Sequence, residues 1–444
     1  MDELNRWIDE NENNLLNDIG ILVDIPSVAG RDKVYPPYGK ECARALKQML
    51  ALGEGYGFST DNCDGYCGSI SFGDGEQTIG IWGHLDVVEA GSEWIYPSFA
   101  CTKKGDFIIG RGVQDNKGPL IAVLYAMRYL KEKGNLKSKV SLIFGCNEEN
   151  GMDDVQYYRN HRQIPDLSFV ADCSFPVCHG EKGIFHLFIK SEKLHGKIVS
   201  MAGGSALNIV PEKARAVLNV SSEKGQLEIE TSGISGHSAF PENTQNAIGV
   251  LAKKLKELLA DETERMAMEF LEKACSDGYG RGLEIACEDT VSGALTCNMG
   301  LLALEEGVLR AGLDIRYPVT LSMEAIISKL EKILIKYHWI ITKAEDNPPY
   351  HIDKNHPLVQ KLMEAYREET GSTKEAYLMG GGTYARKIPG AVGFGPGLPV
   401  NISELDLPLG HGNCHSADEA QSVTNLKKAI RIYVKAIEKL STSN

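Results

Sequence analysis

Basic residues are in deficit in this chain of 444, where 47 lysines and arginines face 60 aspartates and glutamates for a net charge of −13. The acidic residues are spread along the whole length, so neither nucleic acid nor an anionic membrane is an expected partner. No apolar run approaches the length that crosses a bilayer. Nothing resembles a signal peptide, because the opening Met1-Asp2-Glu3-Leu4-Asn5-Arg6 is polar and acidic. A paired cysteine framework is missing too. The eleven cysteines are odd in number and scattered, which points to reduced thiols and a cytoplasmic location. Cys63-x-x-x-Cys67 has no second pair at zinc-site spacing, so both are expected to be loop cysteines. There is no internal repeat and no low-complexity tract.

What is present is the composition of a globular protein, 43% hydrophobic and 24% charged, at a length that favours two domains. Leu4, Trp7, Ile8, Leu15, Leu16, Ile19 and Leu22 recur at threes and fours and predict a helix over 2–22. Further helices are predicted over 39–52, 119–131, 246–259, 322–336, 356–370 and 426–440. Short apolar runs at 78–82, 140–145 and 168–171 read as buried strands of a parallel sheet. Each ends in histidine or acid: His84 and Asp86, Glu148 and Glu149, Asp172. Strands alternating with helices, with chemistry at the strand ends, describe an α/β fold carrying its site at that edge. From about 185 to 344 the texture changes. Strands at 184–189, 216–220, 226–230 and 308–316, with two helices, suggest a separate α+β domain.

Five separated segments offer metal-type ligands, namely His84, Asp115, Glu148-Glu149, Asp172 and His415. Each alone has an ordinary explanation as a turn, a helix cap or a solvated loop. Together, where strand ends converge, they make a mixed imidazole and carboxylate set that suits Zn, Mn or Co rather than calcium. His84 and Asp86 lie two apart on extended chain and point the same way. Asp86 can therefore sit beside His84 or behind it as an orienting group.

Gly83-His84-Leu85-Asp86-Val87-Val88, Gly110-Arg111-Gly112 with Asp115-Asn116-Lys117-Gly118, Asn147-Glu148-Glu149 with Gly151, and His415 with Asp418-Glu419 resemble the M20 family of co-catalytic metallopeptidases. The motifs stand in the family's order and cover nearly the whole chain. Within the family the chain looks most like the bacterial PepV-type dipeptidases, on Gly380-Gly381-Gly382-Thr383-Tyr384 and Asp314-Ile315-Arg316-Tyr317-Pro318. The resemblance implies a zinc-peptidase-like catalytic domain, α/β, with a mixed, mostly parallel sheet and helices on both faces. An α+β lid domain would be inserted into it. The catalytic domain would then comprise 1–184 and 348–444, and the lid 185–347.

By the same resemblance two divalent metal ions are expected, zinc foremost, with manganese or cobalt as alternatives. His84 and Asp172 would hold one ion, Glu149 and His415 the other, and Asp115 would bridge them. Asp86 would orient His84, and Glu148 would be the general base. Asn116 replaces a second Asp often found there, and the peptide after the bridging Asp is cis in relatives. Two ions about 3.5–4 Å apart can share and activate a water, whose proton Glu148 would pass to the leaving amine.

In the lid, Ser235-Gly236-His237-Ser238 matches the family's histidine motif, and His237 would donate to the developing oxyanion. Arg316 resembles the residue that clamps a C-terminal carboxylate, with a strand-end ion pair as the alternative. Asn208 resembles a substrate-contacting asparagine. Gly381 and Gly382 lack the Lys-Ser/Thr of a P-loop and are read as allowing close approach of a peptide. Lid closure would bring His237 and Arg316 over the metals. His186, His195, His338, His351 and His356 match no motif.

The implied activity is hydrolysis of short peptides, above all dipeptides with a free C-terminus. An N-acyl-amino-acid amidohydrolase and a non-catalytic peptide-binding relative remain as alternatives. The partner would be a small peptide, and the size of the lid favours a monomer over a homodimer formed through it.

Overall fold

The apolar run that ends at His84 becomes the strand Thr78–His84, and six of its seven residues are buried. Both faces are covered. Gly83 looks onto Leu120 of the helix Lys117–Lys133, while the Trp82 ring meets Tyr158 of Asp153–His161 edge-on at 5.0 Å. A strand shielded on both sides reads as an unbroken apolar run rather than an alternation, which made it visible in the sequence.

The computed structural model describes residues 3–32, 34–35, 37–134, 136–220 and 225–441. The chain forms two units, one of Met1–His179, Ile352–Tyr377 and Thr383–Asn444, the other of Gly180–His351 and Leu378–Gly382. These divisions lie a few residues from the expected 184/185 and 347/348. The segment Leu378–Gly382, expected with the catalytic part, goes with the second unit.

The first unit is built on a sheet in the order Ser59–Cys63, Cys67–Phe72, Lys139–Gly145, Thr78–His84, Leu167–Val170, Val392–Phe394, Val177–Glu181. Its four central strands run parallel, and its flanks are antiparallel. The predicted first helix is two, Glu3–Glu10 and Glu12–Val23. They part at Asn11, whose side-chain amide donates to the Trp7 carbonyl at 2.9 Å and competes there with the backbone. Cys63 and Cys67 are cross-strand partners rather than loop residues. Asp64 (φ 52°) and Gly65 (φ 81°) make the tight left-handed turn between them. The last helix, Val423–Ser441, lays Tyr433 against Phe169, Phe175 and Phe394 in the core.

The second unit carries a seven-stranded sheet, in the order Gln226–Ser232, Lys213–Asn219, Ile198–Gly203, Thr296–Glu305, Val308–Tyr317, Gly183–Lys193, Trp339–Asn347. Every pairing in it is antiparallel. Phe185, Leu187 and Ile189 alternate into a core shared with the helices Ala247–Leu258, Glu262–Ala274 and Met323–Lys336. Among the described residues no helix is long and apolar enough to cross a membrane.

Candidate metal centre

Five chain ends in the first unit bring acids and imidazoles to one place. His84 closes its strand, Glu148 and Glu149 follow Lys139–Gly145, and Asp172 follows Leu167–Val170. Asp115 precedes the helix Lys117–Lys133, and His415 comes from the loop before the strand Ala420–Ser422. Asp115 stands between the two histidines. Its Oδ1 is 2.9 Å from His84 Nε2 and its Oδ2 is 3.0 Å from His415 Nε2. Asp172 Oδ2 lies 3.5 Å from His84 Nε2, and Glu149 Oε1 lies 3.0 Å from His415 Nε2. One carboxylate thus separates two histidine–carboxylate pairs. The Asp115–Asn116 peptide is cis.

The supporting contacts refine one expectation. Asp86 is fully buried, and its two oxygens accept from the amides of Glu148 (3.1 Å) and Glu149 (3.0 Å). His84 Nδ1 is 2.9 Å from the Asp86 backbone carbonyl and 3.5 Å from its carboxylate. The carbonyl is therefore the nearer orienting partner, and the carboxylate mainly holds the Glu148–Glu149 backbone. With Nδ1 donating, a neutral His84 ring would leave the Nε2 lone pair for a metal. Asn116 uses both ends of its amide, donating to Asp172 Oδ1 at 2.9 Å and accepting from the His84 amide at 3.3 Å. A Cβ at Gly83 would lie 2.3 Å from Asn116 Oδ1, so this reach requires glycine.

Burial raises acids and disfavours cations; Asp115 and the two histidines go against these tendencies, whereas Glu148, Glu149 and Asp172 follow them. Asp115 is half-buried, and although burial raises it, hydrogen bonds from His415 and His84 hold it well below the usual carboxylate range. Burial opposes a charge on His84, but Asp172, Asp115 and Asp86 push it well above its ordinary value. His415 is lifted likewise, against burial, to about 11 by Asp115 and Glu149. Burial lifts Glu148 well above its usual value; His84 opposes this, while Asp172, Glu149 and Asp115 add to it. Negative charge is in surplus, and the donors are imidazole and carboxylate, which fits Zn, Mn or Co. Glu148 Oε1 is also buried without a hydrogen-bond partner, and a catalytic role is one explanation of such a state.

Several contributors escaped the sequence reading. Cys414 Sγ lies 2.9 Å from Asp115 Oδ2, and its donor atom groups with those of Asp115 and His415 within 4.8 Å. Asp154 Oδ2 accepts from the amides of Cys146 (2.8 Å) and Asn147 (2.7 Å) and from the Tyr384 hydroxyl. Glu419 accepts from the Asp115 amide at 3.1 Å. Cys414 stands beside the motif residue His415, and Glu419 closes that motif, though its hold on the Asp115 amide was not foreseen. Asp154 had no signal, since its partners are mostly backbone.

In the second unit, His237 is exposed and its Nδ1 accepts from the Ala239 amide at 3.1 Å. A neutral ring held so carries its proton on Nε2. The Asn208 carbonyl accepts from the Ser238 amide at 2.9 Å, and Asn298 Nδ2 supports the Leu207 and Ile209 carbonyls at 2.9 Å each. Arg316 is 6% exposed and makes the strand-end ion pair, with Nε and Nη2 on Asp314 Oδ2 at 3.1 and 2.9 Å. Its Nη1 donates to the Gly380 carbonyl at 3.1 Å, and Ser238 Oγ donates to the same Asp314 oxygen. The His237 loop, Arg316 and the glycine loop are thereby tied to Asp314. Close approach in that loop falls at Gly380, whose Cβ would meet Ala239 Cβ at 3.0 Å. At Gly381 a Cβ would make only ordinary contact.

A family model described as "Peptidase family M20/M25/M40" matches residues 80–439. The protein named "Putative dipeptidase YtjP" from Bacillus subtilis (strain 168) is 31% identical over 96% of this chain and 97% of its own length. "Putative dipeptidase SH1171" from Staphylococcus haemolyticus is 30% identical over 98% of each. The fold is shared with human carnosine dipeptidase 1, at a TM-score of 0.66 and 12% identity over 99% of this chain and 98% of that one. The di-peptidase Dug1p of Saccharomyces cerevisiae gives a TM-score of 0.62 at 13% identity, again over 99% and 98%.

Proposed function

The chain belongs to peptidase family M20/M25/M40, and from that premise we propose that it is a dipeptidase working with two divalent metal ions. The observation that carries this is Asp115, set between His84 with Asp172 on one side and His415 with Glu149 on the other. Each trio would hold one ion, with zinc proposed and manganese or cobalt as substitutes. When bound, such ions would lower the pKa of a shared water and polarise the scissile carbonyl. The dipeptidase names of the relatives support the substrate class.

The chain's own residues would do the rest. Glu148 Oε1, buried and without a partner, takes the proton of the attacking water and hands it to the leaving amine nitrogen. Asp86 keeps base and ligand in register by holding both of their amides. Nε2–H of His237 donates to the developing oxyanion. Arg316, through N–H groups not spent on Asp314 and Gly380, pairs with the substrate's C-terminal carboxylate. Asn208, Gly381 and Gly382 contact the peptide backbone.

A substrate panel tests the reading. The protein, stripped of metal and reloaded with Zn, Mn or Co, is offered free dipeptides, C-terminally amidated dipeptides, and N-acetyl and N-succinyl amino acids. Free dipeptides should turn over, and amidation should abolish turnover. Hydrolysis confined to the acylated amino acids would contradict the proposal.

A further inference from the structure

We propose that Glu419 is a positioning residue that fixes the spacing of the two metal subsites by locking the Asp115 loop to the His415 loop; this rests on the two-ion reading above. Glu419 is fully buried. Three amides converge on its Oε1, from Gly112 (3.0 Å), Gln114 (2.8 Å) and Asp115 (3.1 Å). Its Oε2 accepts from Arg111 Nη1 at 2.7 Å. The Arg111 guanidinium is itself buried and stacks over Trp94 at 5.2 Å. The Glu419 carbonyl takes a further amide, that of Gly110, at 2.9 Å. Every one of these contacts goes to the stretch that ends in Asp115.

The other end of the lock is His415, four residues earlier. Its loop closes on itself, with the Gly412 amide donating to the Ala417 carbonyl at 2.9 Å and the Ala420 amide to the Gly412 carbonyl at 3.1 Å. Asp418 anchors that loop separately, accepting from the Ile95 amide (3.0 Å), the Tyr96 amide (2.9 Å) and His411 Nδ1 (2.6 Å). A shift of the Glu419 carboxylate therefore moves Asp115 relative to His415, and with it the gap that both span. Amides bonded to an ionised acceptor are about twice as strong as neutral ones, so a glutamine should hold the loop less firmly. An alanine should release it.

Glu419→Gln and Glu419→Ala are to be compared with the wild-type protein by calorimetric metal titration, cobalt absorption spectra, apo-protein unfolding, and kcat and KM on a dipeptide. Expected for Glu419→Gln is an apo-protein that still folds. Ion binding, which shares Asp115, should be weakened about 10–100-fold, as when a group supporting a ligand is lost, with kcat reduced and KM little changed. Glu419→Ala should lose more, and if it does not fold the glutamine variant decides alone. A purely structural role would lower apo stability and leave both affinities and the cobalt spectrum as in wild type; that result overturns the proposal. Wild-type protein that binds fewer than two ions defeats the two-ion reading itself, and the proposal falls with it.

Discussion

At the scale of single residues, the groups assigned to chemistry ride on backbone held from below by buried carboxylates. Asp86 takes the amides of Glu148 and Glu149, Asp154 those of Cys146 and Asn147, and Glu419 that of Asp115. A buried carboxylate is costly unless its lone pairs are satisfied, and each of these spends its acceptors on fixing a loop. Asp154 gives this a measurable consequence. Burial, and then Asp86, lift it to about 7, against hydrogen bonds from Tyr384, Val155 and Asn147. An unfolded aspartate titrates near ~3.9, so between these values the folded chain holds the extra proton. The contribution of this group to stability is full below the lower value and is lost as pH rises through the upper one. Asp154→Asn removes that titration. Denaturant unfolding at about pH 5 and about pH 8 should show the variant gaining on wild type at the higher pH; a difference that does not change with pH would contradict it.

At the scale of elements, the sequence was readable where physics leaves a pattern. Thr78–His84 showed because both of its faces are covered, and its C-terminal end marked the site because ligands leave strands there. Helix periodicity could not reveal the break at Asn11, since the apolar spacing continues through it and a side-chain hydrogen bond marks the interruption. The strands Ile198–Gly203 and Thr296–Glu305 were not anticipated, and neither was the helix Glu262–Ala274. Ile198–Gly203 alternates only weakly in burial, and Thr296–Glu305, though largely buried, opens on Thr, Cys, Asn, Met and Gly rather than on an apolar run. The ion pair of Arg316 with Asp314 was within reach of the sequence, because residues two apart on a strand share a face. Asp154 was not, because amides shared by every residue leave no side-chain pattern to find; Glu419 stood in the motif that starts at His415, but its hold on the Asp115 amide left no such pattern either.

At the scale of the whole molecule, the second unit is inserted in the first, and each has a core of its own. All five proposed ligands belong to the first unit, His84, Asp115, Glu149 and Asp172 from before the insertion and His415 from after it. An ion bound only by the native state adds about 2.7 kcal/mol at a hundredfold excess over its Kd. Stripping metal with a chelator should therefore lower one calorimetric unfolding transition and leave the other in place; equal shifts in both would contradict this. On the proposed mechanism, Glu148 moves the proton at a centre whose ions other residues hold. The direct test is metal content and dipeptide turnover measured side by side for Glu148→Gln. Wild-type metal content is expected, with kcat reduced by about 10²–10⁴-fold. Near-wild-type turnover, or metal lost together with activity, would contradict it.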